Sequence, residues 1–83
     1  MSSYGPVLYH RLLCRRCARV KRALRQVGVQ VELRGVLLSR RHREELRQLA
    51  GTVRVPCLVI SGTVVREVEE IEKYLRLRYG VGP

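Results

Sequence analysis

The chain has 83 residues, of which 46% are apolar, and a formal net charge of +10. This length predicts a single domain over residues 1–83, and the apolar content is that of a globular protein. No segment approaches the roughly 20 consecutive apolar residues that span a bilayer, so the sequence excludes membrane insertion.

The net charge reflects 17 basic residues against seven acidic ones. Clustered basic side chains favour nucleic-acid binding through counterion release. Here the arginines are spread over every segment, and the sequence contains neither Phe nor Trp for base stacking. We therefore expect a solvated basic surface and no nucleic-acid partner.

The first residues, 1–6, carry no basic region, and His10 and Arg11 interrupt the apolar run that follows. A secretory signal peptide has a basic start and a longer apolar core. We therefore expect a cytoplasmic protein. In that reducing compartment a C-x-x-C motif is more often catalytic or metal-binding than a structural disulfide.

The first two predicted elements are a strand and a helix. Residues 6–10 favour a short buried strand, because Val7-Leu8-Tyr9 is rich in β-forming residues. A helix is predicted from Cys14 to Gly28, which can end it in a left-handed conformation. Its apolar side chains recur at helical spacing, at Cys17, Val20, Leu24 and Val27.

The middle of the chain predicts a second strand and a second helix. Residues 29–33 alternate apolar and polar side chains, and residues 36–38 continue as the exit of that strand. Ser39 can cap a helix from Arg40 to about Ala50, which Gly51 closes. The apolar stripe of this helix comprises Leu46, Leu49 and Ala50.

The last part of the chain predicts a β-hairpin and a third helix. Residues 57–60 and 63–65 are two apolar runs around the turn Ser61-Gly62. The helix extends from Glu67 to about Tyr79, with glutamates near its start and basic residues near its end, which complements the helix dipole. Its buried face comprises Val68, Ile71 and Leu75.

The element order is therefore β-α-β-α-β-β-α. The first β-α-β unit must form a right-handed parallel crossover. We predict an α/β fold with a four-stranded mixed sheet and helices on both faces. The motif Cys14-Arg15-Arg16-Cys17 then lies at the carboxyl edge of the first strand, where open α/β sheets place their functional sites.

A dithiol at a helix start is suited to thiol–disulfide exchange. The helix dipole favours the thiolate of Cys14, and Arg11, Arg15 and Arg16 act in the same direction, so we expect a low pKa for this thiol. The thiolate attacks a disulfide sulfur, and Cys17, which lies on the apolar stripe, then resolves the mixed disulfide.

Two stretches resemble the glutaredoxins. Residues 9–17, Tyr-His-Arg-Leu-Leu-Cys-Arg-Arg-Cys, are similar to the active-site segment of that family, and residues 55–62 are similar to its Val-Pro, strand and Gly turn. The element order matches the thioredoxin/glutaredoxin fold over nearly the whole chain. The resemblance implies a glutaredoxin-like thiol–disulfide oxidoreductase that reduces protein or mixed disulfides through Cys14 and Cys17.

The resemblance also implies a glutathione site. It places Pro56 in a cis peptide bond beside Cys14, the backbone of Val55 against the cysteinyl part of glutathione, and Arg11 against a glutathione carboxylate. Glu67-Val68 is similar to the Glu-Ser of the N-terminal domain of glutathione transferases, so Glu67 would meet the ammonium group. An ordinary trans proline, and a Glu67 that only complements the helix dipole, are the alternatives.

The cosubstrate implied by the resemblance is glutathione or another low-molecular-weight thiol, with no tightly bound cofactor. The implied partners are disulfide-containing proteins or small-molecule disulfides, and we expect a monomer. The alternative function is a metal-binding module in which a dimer shares zinc or an iron–sulfur cluster through Cys14 and Cys17. One C-x-x-C supplies only two of the usual four ligands, so we expect no metal site within one chain.

Three further side chains have a structural and a functional interpretation. Cys57 is expected to be a compact buried strand residue rather than a third redox thiol or a metal ligand. His10 is expected to be a solvated residue at a strand end rather than a proton-transfer group. His42 is expected to be a partly exposed helix residue.

Overall fold

A computed structural model describes residues 5–80. The sheet and helices follow the predicted order, as β1 (Val7–His10), α1 (Arg15–Gln26), β2 (Glu32–Gly35), α2 (Arg40–Ala50), β3 (Cys57–Ile60), β4 (Thr63–Arg66) and α3 (Val68–Tyr79). The prediction that the chain lacks a signal peptide depends partly on residues 1–4, which lie outside the described residues. In the described part, no helix is both long enough and apolar enough to cross a membrane.

The four strands form one mixed sheet in the order β2-β1-β3-β4. Strand β1 is parallel to β2, whereas β3 is antiparallel to both β1 and β4. The parallel pair is joined through α1, which confirms the predicted β-α-β unit. The hairpin between β3 and β4 turns at Ser61-Gly62, where both residues have positive φ, of 51° and 78°, as type I′ turns require.

Strand β2 begins later than the sequence predicts. The prediction placed a strand over residues 29–33, but the parallel ladder pairs Val7 with Glu32 and His10 with Gly35. The backbone N–H of Val29 instead donates to the carbonyl of Leu24 at 3.0 Å. Val29 therefore lies in the turn that closes α1, and it packs against the core without joining the sheet.

Helices cover both faces of the sheet, as predicted. Helices α1 and α3 lie on one face over a cluster of buried residues, which comprises Leu8, Val20, Leu24, Leu58, Ile60, Val65, Val68, Ile71 and Leu75. Helix α2 lies on the other face over a smaller cluster, which comprises Tyr9, Val36, Leu46 and Cys57. Alternate residues of β1 and β3 thus supply the two cores.

The apolar stripe predicted for α2 is narrower in the structure. Leu46 is fully buried, but Leu49 is 49% exposed. Polar contacts supplement the apolar ones: the hydroxyl of Tyr9 donates to Glu45 at 3.1 Å, and Arg34 donates to the same carboxylate oxygen at 2.9 Å. A buried leucine and a carboxylate network therefore hold α2 on the sheet.

Helices α1 and α3 are joined at the surface by a bidentate ion pair. The guanidinium of Arg19 donates to both carboxylate oxygens of Glu72, at 2.7 and 2.8 Å. Glu72 also stands at i,i+4 spacing from Arg76 within α3, but its carboxylate pairs with Arg19 of α1 instead. Both predicted caps of α2 are confirmed: the Ser39 hydroxyl accepts from the N–H of His42, and Gly51 has φ 75°.

Candidate active site

Cys14 is the residue that caps the start of α1. Its backbone is extended, with φ −108° and ψ 114°, and its Sγ accepts a hydrogen bond from the N–H of Cys17 at 3.3 Å. The thiol thus takes the place of the Ser or Asp oxygen that ordinarily caps a helix. An anion in this position is stabilised by the free N–H groups and by the helix dipole.

The second thiol of the motif lies behind the first. Cys17 is 1% exposed, on the side of α1 that faces the core. Burial raises the pKa of Cys17 to about 11, and the hydrogen bond and negative charge of Cys14 act in the same direction, while a hydrogen bond from the Arg11 backbone opposes them. Cys17 is therefore protonated at neutral pH.

The pKa of Cys14 lies below its ordinary value. Partial burial raises this pKa, but hydrogen bonds from the thiol and the N–H of Cys17 and from the N–H of Arg16 outweigh the burial. The charge of Arg16 is the smallest of these influences. Hydrogen bonds at the helix start therefore account for more of the shift than the arginine charges that the sequence suggests.

The Val55–Pro56 peptide bond is cis, which agrees with the implication of the resemblance. Pro56 is buried and immediately precedes β3, whose first residue Cys57 is paired with Tyr9 of β1. Because β1 leads into the C-x-x-C motif, this pairing carries Val55-Pro56 to the same edge of the sheet as Cys14.

Two adjoining grooves lie at this edge. The first, here called the thiol groove, has a volume of about 570 Å³ and contains Cys14. Its other lining residues are Arg11, Arg15, Arg16, Val36, Leu37, Arg43, Val53, Arg54 and Val55. It therefore combines the capping thiol with several guanidinium groups.

The second groove, here called the Glu67 groove, has a volume of about 610 Å³. Its lining residues are Arg16, Thr52, Arg54, Val55, Pro56, Val64, Val65, Arg66, Glu67, Val68 and Glu70. The two grooves share Arg16, Arg54 and Val55, so they are neighbours along one surface.

The structure brings the residues predicted for the site to these two grooves. Arg11 and Cys14 line the thiol groove, whereas Pro56, Glu67 and Val68 line the Glu67 groove. Val55 lines both. Cys17 lines neither, because it is buried beneath Cys14.

Two arginines of the thiol groove, Arg43 and Arg54, were not predicted from the sequence. Arg43 of α2 enters the thiol groove, and its Nη1 donates to the carbonyl of Val36 at 2.9 Å. No local pattern marks Arg43, because only the packing of α2 places it there. Arg54 directly precedes Val55-Pro56, and this proximity in the sequence was a usable signal.

Glu67 has an unusual backbone at the start of α3. Its φ is 75° and its ψ is 129°, and its side chain makes no capping hydrogen bond. Its carbonyl accepts the first helical hydrogen bond, from Ile71 at 3.0 Å. Glu67 is exposed and lines the groove, and its carboxylate is not used as a helix cap.

The remaining candidates have structural surroundings. Cys57 is fully buried in β3, where burial raises its pKa, and His42 is a half-buried helix residue whose Nδ1 lies 3.1 Å from the carbonyl oxygen of Gly35. Both structural predictions are confirmed. The prediction of a solvated His10 is wrong: its Nδ1 is buried without a hydrogen-bond partner, and burial lowers its pKa.

Over residues 5–80, no group of three or more His, Cys, Asp or Glu side chains is arranged to hold a metal ion.

The sheet order, the placement of the helices and the dithiol at the start of α1 define a thioredoxin-fold protein. The family model of glutaredoxin matches residues 7–65. The chain belongs to the glutaredoxin family. It is also similar to the glutaredoxin domain-containing cysteine-rich protein of Drosophila melanogaster, with 38% identity over 60 residues. That match covers 70% of this chain but only 13% of the relative.

Solved structures support the same fold. A glutathione S-transferase from Bombyx mori is 25% identical with a TM-score of 0.80, and the match covers 94% of this chain and 37% of that one. A thioredoxin-like protein is 29% identical with a TM-score of 0.77, and the match covers 88% of this chain and 97% of that one. A glutathione transferase homologue from Sulfitobacter, solved with bound glutathione, is 15% identical with a TM-score of 0.78. That match covers 94% of this chain and 38% of the homologue.

Proposed function

We propose that this chain is a glutaredoxin-like thiol–disulfide oxidoreductase that reduces protein or small-molecule disulfides through Cys14 and Cys17. The observation that carries the proposal is that the pKa values of two thiols one helical turn apart are shifted in opposite directions. The pKa of Cys14 is lowered at the helix start, and that of Cys17 is raised to about 11. The lowered pKa favours the Cys14 thiolate that attacks, whereas the raised pKa keeps the Cys17 thiol protonated before the resolving step.

The exchange has two steps. The Cys14 thiolate attacks one sulfur of the substrate disulfide, so that a Cys14–substrate bond forms, the original S–S bond breaks, and the departing thiolate takes up a proton. Cys17 then loses its proton and attacks Cys14 Sγ, which releases the second substrate thiol. The dithiol supplies both electrons and becomes a disulfide.

The change of charge at Cys14 helps the second step. The negative charge of Cys14 and its hydrogen bond both contribute to the raised pKa of Cys17. Once Cys14 is held in a mixed disulfide, that charge is gone, so the pKa of Cys17 falls. The resolving thiol is therefore activated only after the first step has occurred.

Glutathione is the cosubstrate that we propose. Glutathione carries two carboxylates and one ammonium group, and the Glu67 groove offers both signs of charge, with Arg54 and Arg66 beside Glu67 and Glu70. In this assignment Glu67 meets the ammonium group, the Val55 backbone pairs with the cysteinyl part, and Arg11 meets a carboxylate. Pro56 and Val68 complete the apolar lining. The glutathione-bound Sulfitobacter homologue, at 15% identity, contributes the fold to this argument.

Turnover of a mixed disulfide between glutathione and 2-mercaptoethanol tests the proposed activity. We expect turnover by the wild type and by Cys57→Ser, because the Cys57 thiol is fully buried and lines neither groove. Cys14→Ser should be inactive, whereas Cys17→Ser should keep turnover when free glutathione can resolve the intermediate. Turnover by Cys14→Ser would overturn the proposal.

The glutathione assignment has its own test. Oxidised glutathione should add one glutathionyl group to Cys17→Ser, detected as a mass shift on Cys14. The same treatment should leave Cys14→Ser unmodified. If Cys17→Ser remains unmodified as well while it still exchanges with other disulfides, the cosubstrate is a different thiol.

A further inference from the structure

The two grooves beside Cys14 differ in charge. Among the described residues that line the thiol groove, five are arginines and none is acidic; these arginines are Arg11, Arg15, Arg16, Arg43 and Arg54. The Glu67 groove balances three arginines with Glu67 and Glu70. Cys14 lines the purely cationic groove, and the mixed-charge groove adjoins it through Arg16, Arg54 and Val55, so the two parts of a disulfide at Cys14 can reach both surfaces.

This difference matches the two parts of a mixed disulfide. The zwitterionic γ-glutamyl end of glutathione suits the Glu67 groove, which offers a carboxylate as well as guanidinium groups. The thiol groove offers more positive charge than one remaining glutathione carboxylate requires. Its charge is complementary to a ligand that carries several carboxylates close to the reacting sulfur.

The surroundings of the thiol groove favour a polypeptide ligand. Leu37, which lines the groove, is 50% exposed, and Leu12 and Leu38 are 57% and 86% exposed. Leu13, with φ 60°, is fully exposed directly before Cys14. Leu12, Leu37 and Leu38 line a smaller groove that shares Arg11 and Leu37 with the thiol groove, so an apolar surface adjoins the cationic one. Side chains of a polypeptide can cover this apolar surface, whereas a nucleic-acid backbone would leave it uncovered.

We propose that the substrate of Cys14 is an acidic polypeptide joined to glutathione through a cysteine that is flanked by carboxylates. The inference rests on the proposed function. Cys14 attacks the glutathione sulfur, the S–S bond to the polypeptide breaks, and the polypeptide leaves as a thiolate that takes up a proton. Cys17 then releases glutathione as described above, so one dithiol is oxidised as one mixed disulfide is reduced.

Arg43 is the specificity residue that best separates recognition from chemistry. Arg43 belongs to α2, and its Nη1 donates to the carbonyl of Val36, which orients the side chain. It lines the thiol groove but not the Glu67 groove. The hydrogen bonds that lower the pKa of Cys14 come from Cys17 and Arg16 instead. Substitution of Arg43 should therefore change which substrate is preferred rather than the reactivity of the nucleophile.

The test uses three peptides that each contain one cysteine joined to glutathione, with flanking residues that are all Glu, all Gln or all Lys. Release of the peptide thiol is followed by chromatography, at low and at high ionic strength. We expect the Glu peptide to react about tenfold faster than the Gln peptide at low ionic strength, and the Lys peptide to be slowest. The preference should shrink at high ionic strength, because salt screens exposed charges.

Matched variants locate the effect. Arg43→Gln should reduce the ratio of the Glu to the Gln rate severalfold, whereas Arg43→Lys should keep most of it. Arg40→Gln is the control, since it removes the same charge from the start of the same helix and Arg40 lines neither groove. A Glu-to-Gln ratio that is equally reduced by Arg40→Gln would overturn the inference, because net charge alone would then explain the preference.

Three other outcomes would overturn the inference or the proposed function. If the wild type turns over the glutathione–mercaptoethanol disulfide but reduces the three peptides at equal rates, this inference fails and the proposed function stands. If the wild type reduces neither the glutathione–mercaptoethanol disulfide nor any of the peptides, the proposed function itself is overturned. Equal inhibition of the Glu-peptide reaction by a single-stranded DNA and by a poly-Glu peptide of matched charge would also overturn the preference for acidic polypeptides.

Discussion

The N–H of Cys17 donates a hydrogen bond to the Sγ of Cys14 at 3.3 Å, so the proposed nucleophile of this glutaredoxin-family chain is also the cap of its own helix. The spacing of three residues is what makes this bond available, because an N-cap side chain reaches the N–H groups two and three positions further on. The same spacing places Cys17 on the buried side of α1. One helix start therefore separates the two thiols in both pKa and exposure.

The first prediction concerns the pH dependence of alkylation. The pKa of Cys14 is lowered, so its thiolate appears at a lower pH than that of an ordinary thiol, whose pKa is about 8.5. The rate of iodoacetamide alkylation at Cys14 should rise with pH below that value and then level off. A second rise, mapped to Cys17 by mass spectrometry, should occur at higher pH but below about 11, because burial still raises the pKa of Cys17 whereas alkylation of Cys14 removes the negative charge that also raises it.

Cys57→Ser serves as the control for this measurement, because the Cys57 thiol is fully buried and should contribute nothing to the first rise. A midpoint for Cys14 at or above that of a free thiol would show that the helix start does not stabilise the thiolate. Alkylation of Cys17 together with Cys14 at neutral pH would contradict the assigned difference in protonation.

The second prediction separates the side chain of Cys17 from its backbone. The Cys17 thiol and the Cys17 N–H both hydrogen bond to Cys14 and lower its pKa. Cys17→Ala removes only the side-chain bond and should raise the Cys14 pKa, whereas Cys17→Ser keeps a donor and should raise it less. Titration of the Cys14 thiolate by its ultraviolet absorbance in both variants measures the difference. Identical titrations would assign the whole effect to the backbone.

The sequence predicts the element order of this fold well because each element has a local signal. The helical spacing of Cys17, Val20 and Leu24, the Ser39 cap and the Ser61-Gly62 turn are all properties of neighbouring residues. The predicted start of β2 was wrong because the start of a strand depends on its pairing with a neighbouring strand. Strand β1 begins at Val7, which pairs with Glu32, so the parallel ladder begins there. The alternation of apolar residues before Glu32 reflects packing against the core instead.

The same distinction applies to the candidate site. Cys14, Cys17 and Pro56 belong to short motifs, so the sequence is sufficient to select them. Arg43 reaches the thiol groove only because α2 packs on the sheet, and no motif contains it. The buried ring nitrogen of His10 was missed for a similar reason, since sheet pairing brings Gly35 of β2, distant in the sequence, beside His10.

The third prediction concerns the core. Leu58 of β3 is fully buried, is paired with Leu8 of β1, and lies in the cluster beneath α1 and α3. Leu58→Ala should lower the free energy of unfolding by about 2–5 kcal/mol, because it removes buried methyl groups and leaves a cavity. Leu77→Ala is the control, since Leu77 is 77% exposed on α3 and its loss should change stability by about 0.5 kcal/mol or less. Urea unfolding of both variants gives the comparison, and equal effects would contradict the assigned core.

The fourth prediction concerns the strained backbone of Glu67, whose φ of 75° and ψ of 129° lie outside the regions that residues with side chains ordinarily occupy. Such a conformation costs of order 1–3 kcal/mol, and it is often retained where function requires the side chain. Glu67→Gly relieves the strain and should be more stable to urea than Glu67→Ala by about 1 kcal/mol, after allowance for the greater freedom of the unfolded glycine chain.

Glutathione binding by the same variants separates strain from function. If Glu67 meets the ammonium group, calorimetric titration of glutathione should show affinity reduced about tenfold or more in Glu67→Gly, Glu67→Ala and Glu67→Gln alike, which matches the loss of one charged hydrogen bond. Glu69→Gln, which removes the same charge from the first turn of α3 at a residue that lines neither groove, indicates how far a change of charge alone alters binding. Wild-type affinity in the stabilised glycine variant would mean that Glu67 does not hold the ligand, and the strain at the start of α3 would then require a different explanation.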